Sequence, residues 1–480
     1  MLYQLSYFGL LSFCGANIEY YFFLAKPFFC FLGDLSKQHC YICEVFENYV
    51  PMLIEQRYMH RCLRLMWYFP LLLSLIFFAS CKDEPSEPDE APLHRRTVLL
   101  YVAAENSLGA DKQWQRDSME IQEGTASLKD GQRLLAFVDD GDMPRLYRFH
   151  RDNPPCVEKL WQENLCSADP ATLRQVLQTM ISDYPAYEYG LVMWSHADGW
   201  LPATNTDYSP LSFGIDVGSE GDRWRDKDSQ GREGAQMNIE EMASAIAECG
   251  TKLRYVFFDA CLMQNVEVAY ALRHVTDYVV ASPISIPSQG AYYRHQVAEG
   301  LFSDSPMDIA RIYHEDVTSP ELYKDYTDFG IVISVVDTRH LEELAAVTAE
   351  LLPYSALAGG ISPDMSGVMF YKPYQPSFYY RPHFFDAASA MRRLLPEADY
   401  LRFRAVLDKV VCYKAATQKF WAGPFAWDFC LVEDDYAGIS LFVPQSIYTN
   451  NAERCKYGNL NERFQQTEWY DAAGWESVGW

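Results

Sequence analysis

Basic side chains are few in this 480-residue chain: 40 Lys and Arg stand against 65 Asp and Glu, for a formal net charge of −25. Nucleic-acid phosphates are met by Lys/Arg patches, so this balance argues against DNA or RNA as the partner. It suits a soluble surface and the binding of divalent cations. No G-x-G-x-x-G follows the first apolar run and no P-loop is present, which removes the usual nucleotide cradles. H-E-x-x-H, the zinc peptidase signature, and G-x-S-x-G, the serine nucleophile elbow, are both missing. Internal repeats are lacking too, and after Cys81 no apolar stretch reaches the ~20 residues of a membrane-spanning helix. Cysteine is sparse in the same region. Seven follow Cys81, without zinc-like spacing and without the density of a disulfide scaffold, and their odd number leaves at least one free thiol.

The N-terminal region reads as a targeting segment. Arg61 and Arg64 precede an apolar run from Leu65 to Ala79, which ends in Ser80-Cys81. Basic, then apolar, then small is the order of a signal peptide, here residues 59–80. A cysteine directly after such a run resembles the lipidation site of bacterial lipoproteins, with Phe78 in place of the usual leucine. Cys81 is therefore expected to carry lipid and to become the mature N-terminus. The stretch "KDEPSEPDEAP" that follows is charged and proline-rich, so residues 81–96 are expected to form a flexible tether. It resembles the acidic export signal of bacterial surface lipoproteins. Localisation is expected at the cell envelope, on the outer membrane and facing outward. Residues 1–58 have no place in such a product and read as a start-site artefact, with translation beginning at Met59 or Met66. The C-x-x-C at Cys40 and Cys43 is discounted with them.

From Thr97 onward, continuous apolar runs alternate with amphipathic stretches: "TVLLYVAAE", "QRLLAFVDDGD", "YEYGLVMWSHADGW", "KLRYVFFDAC", "DYVVASP" and "FGIVISVVD" read as strands. "PRLYRFH" reads as a hairpin arm. Between the strands lie helical patterns, among them "DPATLRQVLQTMISDYP", with Asp169 as N-cap and Pro170 at the first helical position, and "NIEEMASAIAECG", closed by Gly250. Strands without polar alternation, separated by helices, predict an α/β fold with a mainly parallel sheet covered on both faces. The helix after the fourth strand is expected to begin at Cys261. Leu201–Gln236 is polar and Gly-rich and reads as a long exposed loop. Residues 97–349 are expected to form the main domain and 350–480 a C-terminal subdomain, whose many aromatics read as packing.

Ligands of open parallel sheets bind beyond the carboxyl ends of the strands. His196 and Cys261 both stand where an apolar strand run stops. On neighbouring strands they would give a thiol nucleophile and its base, the minimum for covalent catalysis. A helix starting at Cys261 would further favour the thiolate.

"WSHADGW" followed by "FDACLMQNVEVAYAL" resembles the clostripain family of cysteine peptidases, in the clan of caspases, gingipains and legumains. "TVLLYVAAENSL" resembles the family's first strand and "ASPISIPSQGAYY" its substrate-pocket loop. The resemblance implies a caspase-like α/β/α sandwich, His196 as general base and Cys261 as nucleophile. Ala197 replaces the usual glycine after the histidine but keeps the backbone N–H expected in the oxyanion hole. Asp259 resembles an acidic wall of the primary specificity pocket. Gln289 stands where Arg-specific members carry a second acidic residue, and Ala291 where they carry tryptophan, so a basic P1 preference rests on Asp259 alone. The loop after the histidine strand resembles the place of self-cleavage, with Arg223, Arg225, Lys227 and Arg232 as candidate cut sites. Calcium dependence occurs in the family, without a diagnostic motif here, and no other cofactor is expected. Protein or peptide substrates and the membrane, through the lipid, are the implied partners. Two other readings are a peptidase-derived binding lipoprotein without turnover and a thiol amidase acting on a non-protein amide.

Overall fold

The computed structural model describes residues 94–201, 212–218, 234–323, 329–373, 382–421, 429–452 and 458–480. Residues 1–58, the signal peptide, Cys81, most of the tether, Cys455 and the candidate cut sites Arg223, Arg225, Lys227 and Arg232 lie outside them.

The strands and helices that build the scaffold are, in chain order, β1 (His94–Ala103), α1 (Gln113–Gly124), β2 (Gln132–Asp139), β3 (Arg145–Phe149), β4 (Cys156–Leu160), α2 (Pro170–Asp183), β5 (Ala186–Trp194), β6 (Phe213–Asp216), β7 (Ala235–Met237), α3 (Ile239–Ala247), β8 (Tyr255–Asp259), α4 (Val266–Leu272), β9 (Tyr278–Ala281), α5 (Met307–Val317), β10 (Val332–Asp337), α6 (Leu341–Leu351), β11 (Phe370–Pro373), β12 (Pro382–Asp386), α7 (Ala387–Leu394), α8 (Glu397–Val410) and β13 (Val411–Ala416). One nine-stranded sheet runs in the order β13-β10-β9-β8-β5-β1-β2-β3-β4. Its five central strands are parallel, and β3, β4, β10 and β13 extend it antiparallel at the two edges.

The apolar runs explain this arrangement. Val98–Ala103, Leu134–Val138 and Leu191–Met193 are buried without alternation, because helices cover both faces of the sheet. α1 and α5 lie on one face, and α2, α3, α4, α6 and α8 on the other. Helix starts follow from local chemistry: the Asp169 carboxylate accepts the Ala171 N–H in front of Pro170, and Asn238 with Glu241 forms a capping box for α3. Pro92–Trp480 cluster as one compact unit, and residues beyond 350 enter the main sheet through β13. Among the described residues no helix is long and apolar enough to cross a membrane, and the six described cysteines are free thiols.

Two expectations are corrected. The chain does not enter a helix at Cys261: α4 starts at Val266. Leu262 takes a left-handed backbone (φ 63°), and the backbone N–H groups of Leu262 and Gln264 donate to Ile284 and Ser282 carbonyls across the turn rather than along a helix. The Leu201–Gln236 segment is also not wholly an exposed loop. Phe213–Asp216 and Ala235–Met237 pair as a small antiparallel sheet, with Phe213 and Asp216 fully buried. Phe213 supplies the reason, since its ring packs 6.2 Å from that of Phe258 in the core.

Candidate active site

Register places the two chemical groups at one level. In the parallel β5–β8 ladder Trp194 faces Asp259. His196 and Cys261 each follow two residues later, beyond the carboxyl ends of adjacent strands, which lie ~4.8 Å apart. The site adjoins β1, from which the chain order departs in both directions, the crevice position of open α/β sheets.

The histidine turn is tied down on several sides. The Ser195 hydroxyl donates to the Ala103 carbonyl at 2.7 Å. His196 Nε2 lies 2.9 Å from the Ser107 hydroxyl, on the helical turn that follows β1. Burial lowers the His196 pKa, which keeps the imidazole neutral and able to accept a proton near pH 7. Ala197 bridges to Phe213, with hydrogen bonds running from Gly214 N–H to the His196 carbonyl (2.9 Å) and from Asp198 N–H to the Ser212 carbonyl (3.3 Å). The flanking residues make those bonds, so the Ala197 N–H is not spent in the bridge.

The cysteine turn is held by its own side chains. The Ile286 N–H points at Cys261 Sγ at 3.4 Å, a donor that favours the thiolate. Asn265, fully buried, joins the two turns: its Oδ1 accepts the Trp200 N–H at 3.1 Å, and its Nδ2 donates to the Ser440 hydroxyl at 2.6 Å. Gly199 makes the approach feasible. It sits at φ 73°, and a Cβ there would lie 2.3 Å from Asn265 Oδ1. Trp200 then packs edge-on against Phe442 (5.2 Å) and Phe464 (5.9 Å), so C-terminal aromatics seat the histidine turn.

Asp259 lies beneath the cysteine, only 4% exposed. Its oxygens accept the Ala291 N–H at 3.1 and 3.0 Å and the Tyr293 hydroxyl at 2.9 Å. Burial pushes its pKa up to about 6, opposed by these donors and by the Arg116 charge. Gly290, at φ 60°, lets the loop close on this carboxylate, because a Cβ there would lie 2.5 Å from Asp259 Oδ2. Arg116 on α1 donates to the Gln289 carbonyl and pairs with Asp117 at 2.7 Å. Asp117 in turn accepts from Trp194 Nε1 at 2.9 Å. The Gln289 side-chain oxygen is buried without a hydrogen-bond partner.

The structure thus brings His196, Ala197, Cys261, Asp259 and Gln289 to one end of the sheet. Sequence reasoning missed Ser107, Asn265 and Arg116. For Ser107 and Asn265 the available signal was a polar residue within three positions of the end of an apolar run, and for Arg116 there was none.

The model of the clostripain family matches residues 100–376. A secreted C11 cysteine protease from Bacteroides thetaiotaomicron, solved in complex with an irreversible peptide inhibitor, is 28% identical, with TM-score 0.64 over 80% of this chain and 100% of that one. An inactive zymogen C11 protease from Parabacteroides distasonis is 27% identical, with TM-score 0.61 over 80% of this chain and 99% of that one. No match to this chain was found among curated proteins.

Proposed function

Because the chain belongs to the clostripain family and is a cysteine peptidase, we propose that it cleaves peptide bonds with Cys261 as nucleophile and His196 as general base. The observation that carries this reading is the β5–β8 register, which sets both residues two positions past a paired Trp194 and Asp259. His196 takes the thiol proton, and Cys261 Sγ attacks the scissile carbonyl carbon. The oxyanion that forms is met by the Ala197 N–H. The C–N bond breaks as His196 returns the proton to the leaving amine. Water, deprotonated by His196, then opens the thioester and regenerates the thiol. Ser107 orients the imidazole through its 2.9 Å contact with Nε2.

A basic P1 preference rests on Asp259. Its carboxylate already serves Ala291 and Tyr293 and faces the Arg116 charge, so the attraction left for a substrate cation is small. Self-cleavage belongs to the linker between β5 and β8, where Arg223, Arg225, Lys227 and Arg232 are the candidate sites. A relative whose structure is that of an inactive zymogen supports activation by a cut. The mature chain is placed at the cell envelope, held by lipid on Cys81. A secreted relative supports export.

The test is labelling with peptidyl acyloxymethyl ketones that carry different P1 residues, with the adduct mapped by peptide mass spectrometry. The label should fall on Cys261 and vanish in Cys261→Ala. Turnover should fall by several orders of magnitude in Cys261→Ala and in His196→Ala. Labelling of exposed Cys156 with turnover retained in Cys261→Ala would move the nucleophile elsewhere.

A further inference from the structure

The outer edge of the sheet carries a cluster that the peptidase chemistry does not use. β4 has a neighbour on one side only, and β1, β2 and β3 lie between it and β5. Across the β3–β4 hairpin Arg148 pairs with Cys156. His150 follows Arg148 by two residues and Glu158 follows Cys156 by two, so strand alternation brings them to the same face. Cys156 Sγ lies 3.1 Å from His150 Nε2 and 3.5 Å from Glu158 Oε1. One ligand atom from each of the three residues lies within 4.8 Å of the others. Cys156 is exposed, as is the rest of β4 except Lys159, so an ion in solution can reach all three. The hairpin end is also held in place. Phe149, just before His150, is buried, and Gln122 on α1 donates to the carbonyls of His150 (3.3 Å) and Asn153 (3.2 Å).

A thiol has a single proton. The Cys156 thiol faces the His150 nitrogen, the Glu158 oxygen and, at 3.9 Å, the Arg148 carbonyl, and can donate to only one of them. A cation that takes the place of that proton meets thiolate, imidazole and carboxylate together. Sulfur, nitrogen and oxygen in one set suit zinc and its transition-metal neighbours, whereas calcium and magnesium take oxygen alone. The spacing agrees. Zinc bonds of ordinary length at tetrahedral angles set the ligand atoms about 3.4–3.6 Å apart. The separations around Cys156 are 3.1 and 3.5 Å. Arg148 approaches Glu158 at 3.7 Å. Thiolate and carboxylate bring two negative charges against this one cation, so a divalent ion is still attracted. We propose that His150, Cys156 and Glu158 bind zinc, with the fourth position open to solvent.

Bound there, the ion clasps the start of β4 to the end of β3 at an edge of the sheet where β4 is otherwise held from one side. A site with a single cysteine leaves no mark in the spacing between cysteines, so nothing in the cysteine pattern announces it. The site stands without the peptidase reading, and its metal has no part in the proposed thiol chemistry.

The experiment is absorbance titration of the reduced, chelator-treated full chain with CoCl2, followed by ZnCl2. The chain carries Cys261→Ala, so that the thiol and imidazole of the candidate active site cannot together take the metal. Cobalt in a tetrahedral site with a thiolate ligand gives a sulfur-to-metal charge-transfer band, which zinc abolishes as it displaces the cobalt. We expect the band to saturate at one cobalt per chain and to disappear on adding one zinc. Cys156→Ser should remove the band, because oxygen replaces the sulfur. His150→Ala and Glu158→Gln should each weaken cobalt binding by at least about tenfold. All three substitutions fall on the exposed hairpin, away from the core. No charge-transfer band up to about 1 mM cobalt would overturn the site. So would an unaltered band in Cys156→Ser, or unaltered affinity in both His150→Ala and Glu158→Gln. Displacement of the cobalt by CaCl2 as readily as by ZnCl2 would overturn the choice of metal.

Discussion

Replacing Asn265 with alanine separates the turns that carry His196 and Cys261 without touching either of those side chains. The side chain is fully buried and spans from the Trp200 N–H to the Ser440 hydroxyl. Its loss leaves a buried main-chain donor without an acceptor, which costs about 1–3 kcal/mol, and deletes a second buried hydrogen bond that contributes about 1 kcal/mol. Ser440 keeps part of its bonding, since its hydroxyl also reaches the Gln264 carbonyl at 3.3 Å. The sum is a loss of about 2–4 kcal/mol, read as a drop in Tm of roughly 2–5 °C for a cooperative unit of this size. Freed from Asn265, the Gly199–Trp200 segment shifts, and His196 moves with it. A misplacement of about 1 Å costs on the order of a hundredfold in rate. Turnover of a peptidyl fluorogenic substrate, measured well below the lowered Tm, should therefore fall about 10–100-fold. Ser440→Ala is the control: it spares the Trp200 bond and should lower Tm by only about 1 °C while leaving turnover within about threefold of the parent. A Tm for Asn265→Ala within about 1 °C of the parent, or equal rate losses in the two variants, would refute the idea that Asn265 couples the turns.

Three further outcomes are expected. Asp259 has a folded pKa raised to about 6, so between pH 4 and 6 the folded state holds a proton that the unfolded chain has released. Stability should thus decline by up to about 3 kcal/mol as pH rises through that window. Relative kcat/KM for Arg over Gln at P1 should rise over the same range as the carboxylate ionises. Flat profiles for both, compared with Asp259→Asn, would count against the assignment. Gln289→Asp adds a second carboxylate to the pocket and should improve Arg over Gln or Ala at P1 about tenfold or more, and an unchanged ranking would remove Gln289 from the pocket. Cys81→Ser should release the protein from the membrane fraction, with a diacylated or triacylated Cys81 seen by intact mass in the parent. A mature parent chain starting at Met1 without lipid would contradict the anchor.

What could be read from the residues was whatever local pattern determines. Val98–Ala103 and Leu191–Met193 announce buried parallel strands because burial on both faces forbids alternation. Asp169 and Pro170 announce a helix start because the cap is made within three residues. His196 and Cys261 drew notice because polar chemistry interrupts an apolar run at its carboxyl end. The structure was needed wherever meaning comes from distant partners. The Leu262 turn mimics a helix start in pattern, and only its bonds to Ile284 and Ser282 show otherwise. Phe213 lies in a Gly-rich polar stretch, and its burial against Phe258 has no local signature. Arg116 looks like any surface helix residue until the Gln289 carbonyl is brought to it.

The seat of Trp200 on Phe442 and Phe464 has a consequence in time. A chain emerges from synthesis in sequence order. His196 and Cys261 therefore exist as peptide long before the aromatic rings that fix the histidine turn have been made. A partial chain ending between Cys261 and Phe442 carries both residues and lacks the rings that seat the histidine turn. The histidine turn is thus seated late, when nearly all of the chain is available to fold.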